Sequence, residues 1–236
     1  MDYQKDYIKL NPTMHLEDAG KKFEQLLPQL EFVKTKTNER VILDIGCGAG
    51  AVTKLVKELF PNANIYGVDL SEPMITYANK NNTDKDISFD QKDIFDLDQQ
   101  LKFDFMYCSD LIEHIDDDLG LLTKLAHHSA YFLVRVPLEN SISNRFLRFF
   151  RIYDEFSWTN KKYGHVQHYS YNDFQKKIRI AGFRIVNAEF YPIDHVRKHW
   201  QTELGRRIAK VLFGWNSKKT EVLWGGGFLS ITLETV

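Results

Sequence analysis

Cysteine is scarce in this chain of 236 residues: Cys47 and Cys108 are the whole complement, and they sit far apart. Two thiols at that distance fit no paired metal or redox spacing, so a disulfide scaffold is excluded and a reducing compartment is expected. Long apolar runs are lacking as well. Nothing approaches the roughly 20 residues a membrane-spanning helix needs, and Met1 to Leu10 alternates charged and apolar residues without the apolar core of a signal peptide. The expected setting is cytoplasmic, with no transmembrane segment. An excess of one charge is missing too, because 31 Lys and Arg face 32 Asp and Glu, for a formal net charge of −1. Such a chain has no global attraction to phosphate backbones, and no nucleic-acid partner is expected. Low-complexity tracts are absent, and 43% hydrophobic with 27% charged residues describes an ordinary globular protein.

What is present is a rhythm of strand-like and helical segments. Leu16 to Val33 carries Phe23, Leu26, Leu27 and Leu30 at helical spacing, with Pro28 expected to kink or split the helix. Seven strand-like runs follow: Arg40 to Ile45, Asn64 to Leu70, Ile87 to Asp93, Phe103 to Asp110, Ala130 to Leu138, Phe183 to Tyr191 and Gly227 to Val236. Helices fall between them, Ala51 to Phe60 after a glycine turn, one capped by Ser71 with Pro73 in its first turn, and Tyr171 to Ala181 between Ser170 and Gly182. The alternation predicts an α/β fold: a doubly wound, mostly parallel, Rossmann-like sheet of seven strands with helices on both faces. A single domain over residues 1–236 is the economical reading. Residues 1–38 would form an N-terminal helical cap, and 139–169 and 195–221 insertions forming a lid.

The turn Gly46-Cys47-Gly48-Ala49-Gly50 lies between a strand and a helix, where backbone can approach a ligand and a helix N-terminus offers donors. Gly46, Gly48 and Ala51 also satisfy the G-x-G-x-x-A dinucleotide fingerprint, so an NAD(P)-dependent oxidoreductase stands as an alternative. Asp44 separates the two. A carboxylate two residues before the first glycine would repel a pyrophosphate, whereas S-adenosylmethionine carries an ammonium and a sulfonium and gains a charge-assisted hydrogen bond. Asp69, at the end of the second strand, is placed to take ribose hydroxyls. Asp93, beside Ile94 at the end of the third, is placed to accept from an adenine amino group while Ile94 packs on the ring.

The segments LDIGCGAG (Leu43 to Gly50), VDLSEPMI (Val68 to Ile75), KDI (Lys92 to Ile94) and SDLIEHIDD (Ser109 to Asp117) resemble class I S-adenosylmethionine-dependent methyltransferases in order and spacing. The resemblance implies that Asp44, Gly46, Cys47, Gly48 and Gly50 hold the methionine moiety, Asp69 the ribose and Asp93 the adenine. Leu70, Met74 and Ile94 would line the nucleoside, with Ser109 and Asp110 against the cofactor. NPTMHLEDAGKK (Asn11 to Lys22), GHVQHYS (Gly164 to Ser170) and WGGGFLSI (Trp224 to Ile231) are similar to a bacterial subgroup linked to cell-surface sugar and lipid pathways.

Methyl transfer requires an oriented nucleophile and, where needed, a base. His165 and His168 frame an aromatic turn before a capped helix, and His114 with Glu113 follows the fourth strand, so these four are the catalytic candidates; each histidine reads equally as a hydrogen-bonded structural residue. His15 has a weaker claim. Some methyltransferases with an E-x-x-E-H run bind a divalent metal there, and D-x-x-E-H from Asp110 with a distant His165 or His168 could imitate it; Asp in place of the first Glu departs from that pattern, and a metal is not favoured. No Asn/Asp-Pro-Pro-aromatic run and no Pro-Cys nucleophile occur, which disfavours DNA methylation. Cys108 reads as packing within an apolar strand. Between Ser141 and Tyr163, Arg145, Arg148 and Arg151 interleave with Phe146, Phe149, Phe150, Phe156 and Trp158, a mixture suited to an anionic, amphipathic or ring-bearing acceptor or to a lid packed on the sheet. Val196, Trp200, Leu204, Ile208, Val211 and Trp215 share one helical face, which serves a core, a peripheral membrane contact or a dimer. The expectation is a methyltransferase acting on an oxygen or nitrogen of a small-molecule, saccharide or lipid-linked acceptor, as monomer or homodimer. A non-catalytic module that only binds S-adenosylmethionine is the remaining alternative.

Overall fold

The computed structural model describes residues 13–192 and 217–236, apart from positions 15, 39 and 153. Its centre is β1 (Val41–Ile45), whose run VILDI is buried from its second residue on. That is the signature of a strand covered on both faces. Around it stand β2 (Asn64–Asp69), β3 (Ile87–Gln91), β4 (Phe105–Ser109), β5 (Tyr131–Pro137), β6 (Phe183–Pro192) and β7 (Gly227–Thr235), in the order β3-β2-β1-β4-β5-β7-β6. The pairs from β3 through β5 are parallel, and β7 runs antiparallel between β5 and β6. The seven-stranded, mostly parallel sheet with helices on both faces is therefore the expected one. Strand order turns back between β1 and β4, and in open α/β sheets that switch opens a crevice at the strands' carboxyl ends.

Alternation along the strands sorts side chains into two layers. Ile42, Phe105, Tyr107 and Leu133 face α1 (Ala19–Lys34) and α2 (Ala51–Leu59), where they meet Leu26, Leu30, Val56 and Phe60. Leu43, Met106, Cys108, Phe132 and Val134 face α4 (Asp118–Leu125) and α7 (Tyr171–Ile180), packing with Leu121, Leu122, Phe174 and Ile178. A small third cluster joins Ile75 and Ala78 of α3 (Glu72–Lys80) to Cys47 and Phe89. Among the described residues no helix is long and apolar enough to cross a membrane.

Three details differ from the sequence reading. Helix α1 is not split at Pro28 but continues to Lys34; the carbonyl that loses its partner belongs to Glu24, an exposed residue with access to water. The N-terminal segment is also more than a cap. Gln29 is fully buried, donates to Ser230 O at 3.0 Å and accepts from Thr232 Oγ1 at 2.7 Å, so α1 is pinned to β7. Strand β3 stops at Gln91, and Asp93 lies beyond it as the cap of a short turn, accepting from Phe95 N at 2.9 Å. The insertion after β5 forms α5 (Ile142–Phe149) and α6 (Glu155–Tyr163). The later insertion lies outside the described residues up to 216, as does the apolar face from Val196 to Trp215; α8 (Lys218–Gly225) follows it.

Candidate functional site

The crevice at the β1/β4 switch is lined by Met14, Lys22, Asp44, Gly46, Cys47, Gly48, Asp69, Met74, Ser109, Asp110, Leu111 and His114. The turn after β1 forms because Gly46, Gly48 and Gly50 all adopt positive φ, a region that suits glycine. Gly46 N and Cys47 N both donate to Val68 O, at 2.8 and 3.1 Å, which ties the turn to β2. A side chain at Gly48 would meet no atom within 4 Å, so its face is open to a ligand; at Gly50 a Cβ would fall 2.5 Å from Phe89 Cζ.

Two carboxylates flank this turn. Asp44 is 3% exposed and accepts from Thr53 Oγ1 at 2.6 Å and from Tyr107 Oη at 2.7 Å. Burial pushes its carboxyl up from 3.8 to about 6 against those two hydrogen bonds, with the neighbouring Asp69 pushing the same way. Asp69 accepts from Gly48 N at 2.9 Å and Ser71 N at 2.8 Å, and burial raises its carboxyl as well. Ser109 Oγ is buried in the wall without a hydrogen-bond partner among the described residues. An orphaned hydroxyl, an open glycine face and two carboxylates make a recess fitted to a polar cation, and repel a diphosphate.

Of the expected cofactor residues, Asp44, Gly46, Cys47, Gly48, Asp69, Met74, Ser109 and Asp110 are brought together in the crevice, while Gly50, Leu70, Asp93 and Ile94 are not among its lining. Leu70 is exposed, Ile94 is buried in the main core, and Gly50 is packed under Phe89. Asp110, at φ 55, forms an ion pair with Arg135 and another with Lys22 at 3.2 Å. Burial opposes its ionisation, yet Arg135 and Lys22 together hold its carboxyl well below the usual range. Arg135 also donates to Gln25 Oε1 at 2.7 Å. Lys22, Thr53, Tyr107 and Arg135 carry roles the sequence reading missed: each sits in a helix or strand whose pattern signals packing, and only the folded arrangement of those elements reveals what it touches.

The catalytic candidates form one group at the edge of the crevice. Glu113 and His114 end a short turn after β4, Glu113 fully buried and His114 in the lining. Burial, then the approach of His165, lowers the His114 imidazole to about 4, so it is neutral at pH 7. Burial and the nearby Asp110 push the Glu113 carboxyl well up. His165 and His168 meet on Glu139: Nδ1 of His165 lies 2.7 Å from Oε1 and Nδ1 of His168 2.6 Å from Oε2. Burial resists charge on Glu139, and these two bonds lower its carboxyl nonetheless. The rings of His114 and His165 meet edge to face at 4.8 Å, and His168 stacks on Phe156 at 4.0 Å. Glu139 was missed because it opens an irregular segment with no motif around it. His15 lies outside the described residues. Cys108 is buried with its thiol pushed far up by that burial, as a packing residue should be.

Residues 16–188 match the family described as methyltransferase domain. A malonyl-[acyl-carrier protein] O-methyltransferase of Bacillus anthracis is 32% identical over 87 residues, which is 37% of this chain and 32% of that protein. The match thus spans about a third of the relative's length. Among solved structures, magnesium protoporphyrin IX methyltransferase from Synechocystis PCC 6803 with bound SAH (S-adenosylhomocysteine) superposes with a TM-score of 0.63 at 12% identity, covering 99% of this chain and 96% of that one. An S-adenosylmethionine-dependent methyltransferase from Mesorhizobium loti gives 0.61 at 17% identity, covering 89% and 97%. At these identities the likeness is one of fold.

Proposed function

Because this chain belongs to the methyltransferase-domain family, we propose that it is an S-adenosylmethionine-dependent methyltransferase that places the methyl group on an oxygen of a small-molecule, saccharide or lipid-linked acceptor. The observation that carries the reading is the pair Asp44 and Asp69 on either side of the glycine turn, with the unpartnered Ser109 hydroxyl in the same wall. Asp44 takes the ammonium of the methionine part, and Asp69 the ribose hydroxyls on the lone pairs that Gly48 N and Ser71 N leave free. Met74 packs on the nucleoside, and Asp93 takes the adenine from beyond the lining of the crevice. Bound S-adenosylmethionine supplies an electrophilic methyl carbon on a sulfonium.

The chain's own task is then to orient the acceptor and manage its proton. His114 is the member of the histidine group that lines the crevice, and being neutral it presents a lone pair rather than a charge. Oxygen as the acceptor atom is supported by the relative that carries the name O-methyltransferase. An amphipathic, anionic acceptor is supported by α5, where Phe146 and Phe149 are exposed beside Arg145. Calorimetry with S-adenosylmethionine and S-adenosylhomocysteine tests the first step: saturable binding of both is expected, and no binding at millimolar concentration removes the reading. Saturation by NADH instead would restore the dinucleotide alternative. Release of S-adenosylhomocysteine only when an acceptor fraction is added would separate an enzyme from a mere binding module.

A further inference from the structure

Among the described residues Glu113 stands apart, being 0% exposed with neither carboxylate oxygen hydrogen-bonded. A buried acid without partners either stays protonated or is completed by something outside the polypeptide, such as a water or an ion. Its neighbours are donors of the right kind. One ligating atom from each of Glu113, His114 and His165 can be chosen so that all lie within 4.8 Å of one another. Binding would draw the unbonded Glu113 carboxylate towards the two rings, at bonds of about 2.0–2.2 Å, and two imidazoles with one carboxylate is a donor set that catalytic zinc sites use with a position left open.

The surroundings are built to hold these rings still. His165 Nδ1 is engaged by Glu139, and His114 Nδ1 lies 3.3 Å from Gly164 O, which leaves Nε2 of each ring for an outside partner. A carboxylate behind a ligating histidine fixes its tautomer and raises its basicity. Glu139 is itself fixed, accepting from Thr159 Oγ1 at 3.1 Å while its own carbonyl accepts from Asn144 Nδ2 at 2.9 Å. The two chain segments are also cross-braced, since Glu113 O accepts from Val166 N at 2.9 Å and Gln167 N at 3.0 Å, next to His165. Asp110, the first acid of the D-x-x-E-H run, takes no part because Arg135 and Lys22 occupy it.

We propose that Glu113, His114 and His165 bind a divalent cation of the zinc class, with Glu139 as the positioning residue behind His165. A cation held there would lie beside the crevice that His114 lines, where it would coordinate the acceptor's oxygen; that role rests on the methyltransferase reading, whereas the site itself does not. With His114 then ligating rather than taking the proton, a coordinated hydroxyl, more acidic than a free one, would give its proton to solvent water, so the oxygen is presented as the stronger nucleophile.

The test uses the tag-free full chain, stripped with a chelator and then titrated with Zn²⁺ and Co²⁺ by calorimetry, metal analysis and cobalt absorption spectroscopy. About one ion per chain is expected, with a cobalt spectrum of mixed nitrogen and oxygen ligation. Glu113→Gln and His165→Ala should each weaken binding about 100-fold or more, and Glu139→Gln by 10–100-fold with an altered cobalt spectrum. Binding of S-adenosylhomocysteine by the same variants certifies that they are folded; if a variant fails that check, the wild-type stoichiometry decides alone. Substoichiometric metal on the wild-type chain, or unchanged Co²⁺ affinity in folded Glu113→Gln, overturns the site. Stoichiometric metal on a chain that binds no S-adenosylhomocysteine would uphold the site while removing the methyltransferase reading.

Discussion

Asp44 and Tyr107 are direct partners across β1 and β4, and the Tyr107 hydroxyl reaches Oδ2 of Asp44 at 2.7 Å. Thr53 reaches the same oxygen at 2.6 Å, so Oδ1 has no such bond among the described residues and is the one left for a ligand. The two donors act as a mount: they fix the carboxylate's direction without neutralising its charge.

Affinity for the cofactor should therefore depend on pH through Asp44. In the free protein its carboxyl is raised to about 6 by burial, and the ammonium of the ligand binds the ionised form. Below that midpoint affinity should fall about tenfold per pH unit, and above it should level off. The stability of the ligand-free protein carries the opposite sign. A raised carboxyl contributes stability that is fully present below its unfolded value of 3.8 and is lost as pH rises through about 6, an effect of about 3 kcal/mol. Tyr107→Phe removes one donor from the charged form and should move the affinity midpoint upward. Calorimetry with S-adenosylhomocysteine between acid and neutral pH reads both; a midpoint that ignores Tyr107→Phe would sink the assignment.

Asp69 should matter in a different way. Its two oxygens already accept from Gly48 N and Ser71 N, so truncation to Ala unties the glycine turn as well as losing a ligand contact. Asp69→Ala should cost a few kcal/mol of cofactor affinity, while Asp69→Asn, which keeps an acceptor oxygen, should cost less. Equal losses in the two variants would mean that the charge, and not the acceptor oxygen that Asn keeps, holds the ligand.

Gly50 provides a test of the turn that no ligand enters. Its φ of 75° disfavours a side chain, and the Cβ of Gly50→Ala would press on the Phe89 ring. The left-handed backbone costs about 1–2 kcal/mol and overpacking about 1–3, for a loss of about 2–5 kcal/mol in urea denaturation. Phe89→Leu in the same chain should return part of that, since the two residues share one contact.

The sheet was legible because its strands obey simple periodicities: VILDI between a charged start and a glycine turn can hardly be anything but a central parallel strand. That Asp44, Asp69, Gly46 and Gly48 would share one crevice was legible because a strand followed by a turn and a helix leaves few places for a ligand. Asp93 shows the limit, since a strand end read two residues too late turned a capping residue into one at the strand tip. Glu139 shows another. Its partners His165 and His168 lie across the insertion, and no local pattern encodes their meeting on Glu139, which Asn144 of α5 and Thr159 of α6 hold in place. Arg135 was hidden inside a strand that reads as wholly apolar apart from it.

That arginine gives the last test. Arg135 is 3% exposed, stacks 3.9 Å from the Phe228 ring centre and joins Asp110 to Gln25. Arg135→Met keeps much of the stacking volume but strands Asp110 beside Lys22 alone, and removing one member of a buried ion pair costs about 3–5 kcal/mol. Adding Asp110→Asn should recover a large part, because the uncompensated charge rather than the lost bond dominates. Asp110 is held below the usual carboxylate range, so the pair stabilises the fold above the unfolded carboxylate value of about 3.9 and is lost as acid protonates it. Arg135→Met should accordingly flatten the acid limb of the stability curve. Thermal denaturation from neutral to acid pH on the single and double variants measures this. A double variant no more stable than the single would show that Arg135 acts through Gln25 and Phe228 instead, binding α1 to the sheet.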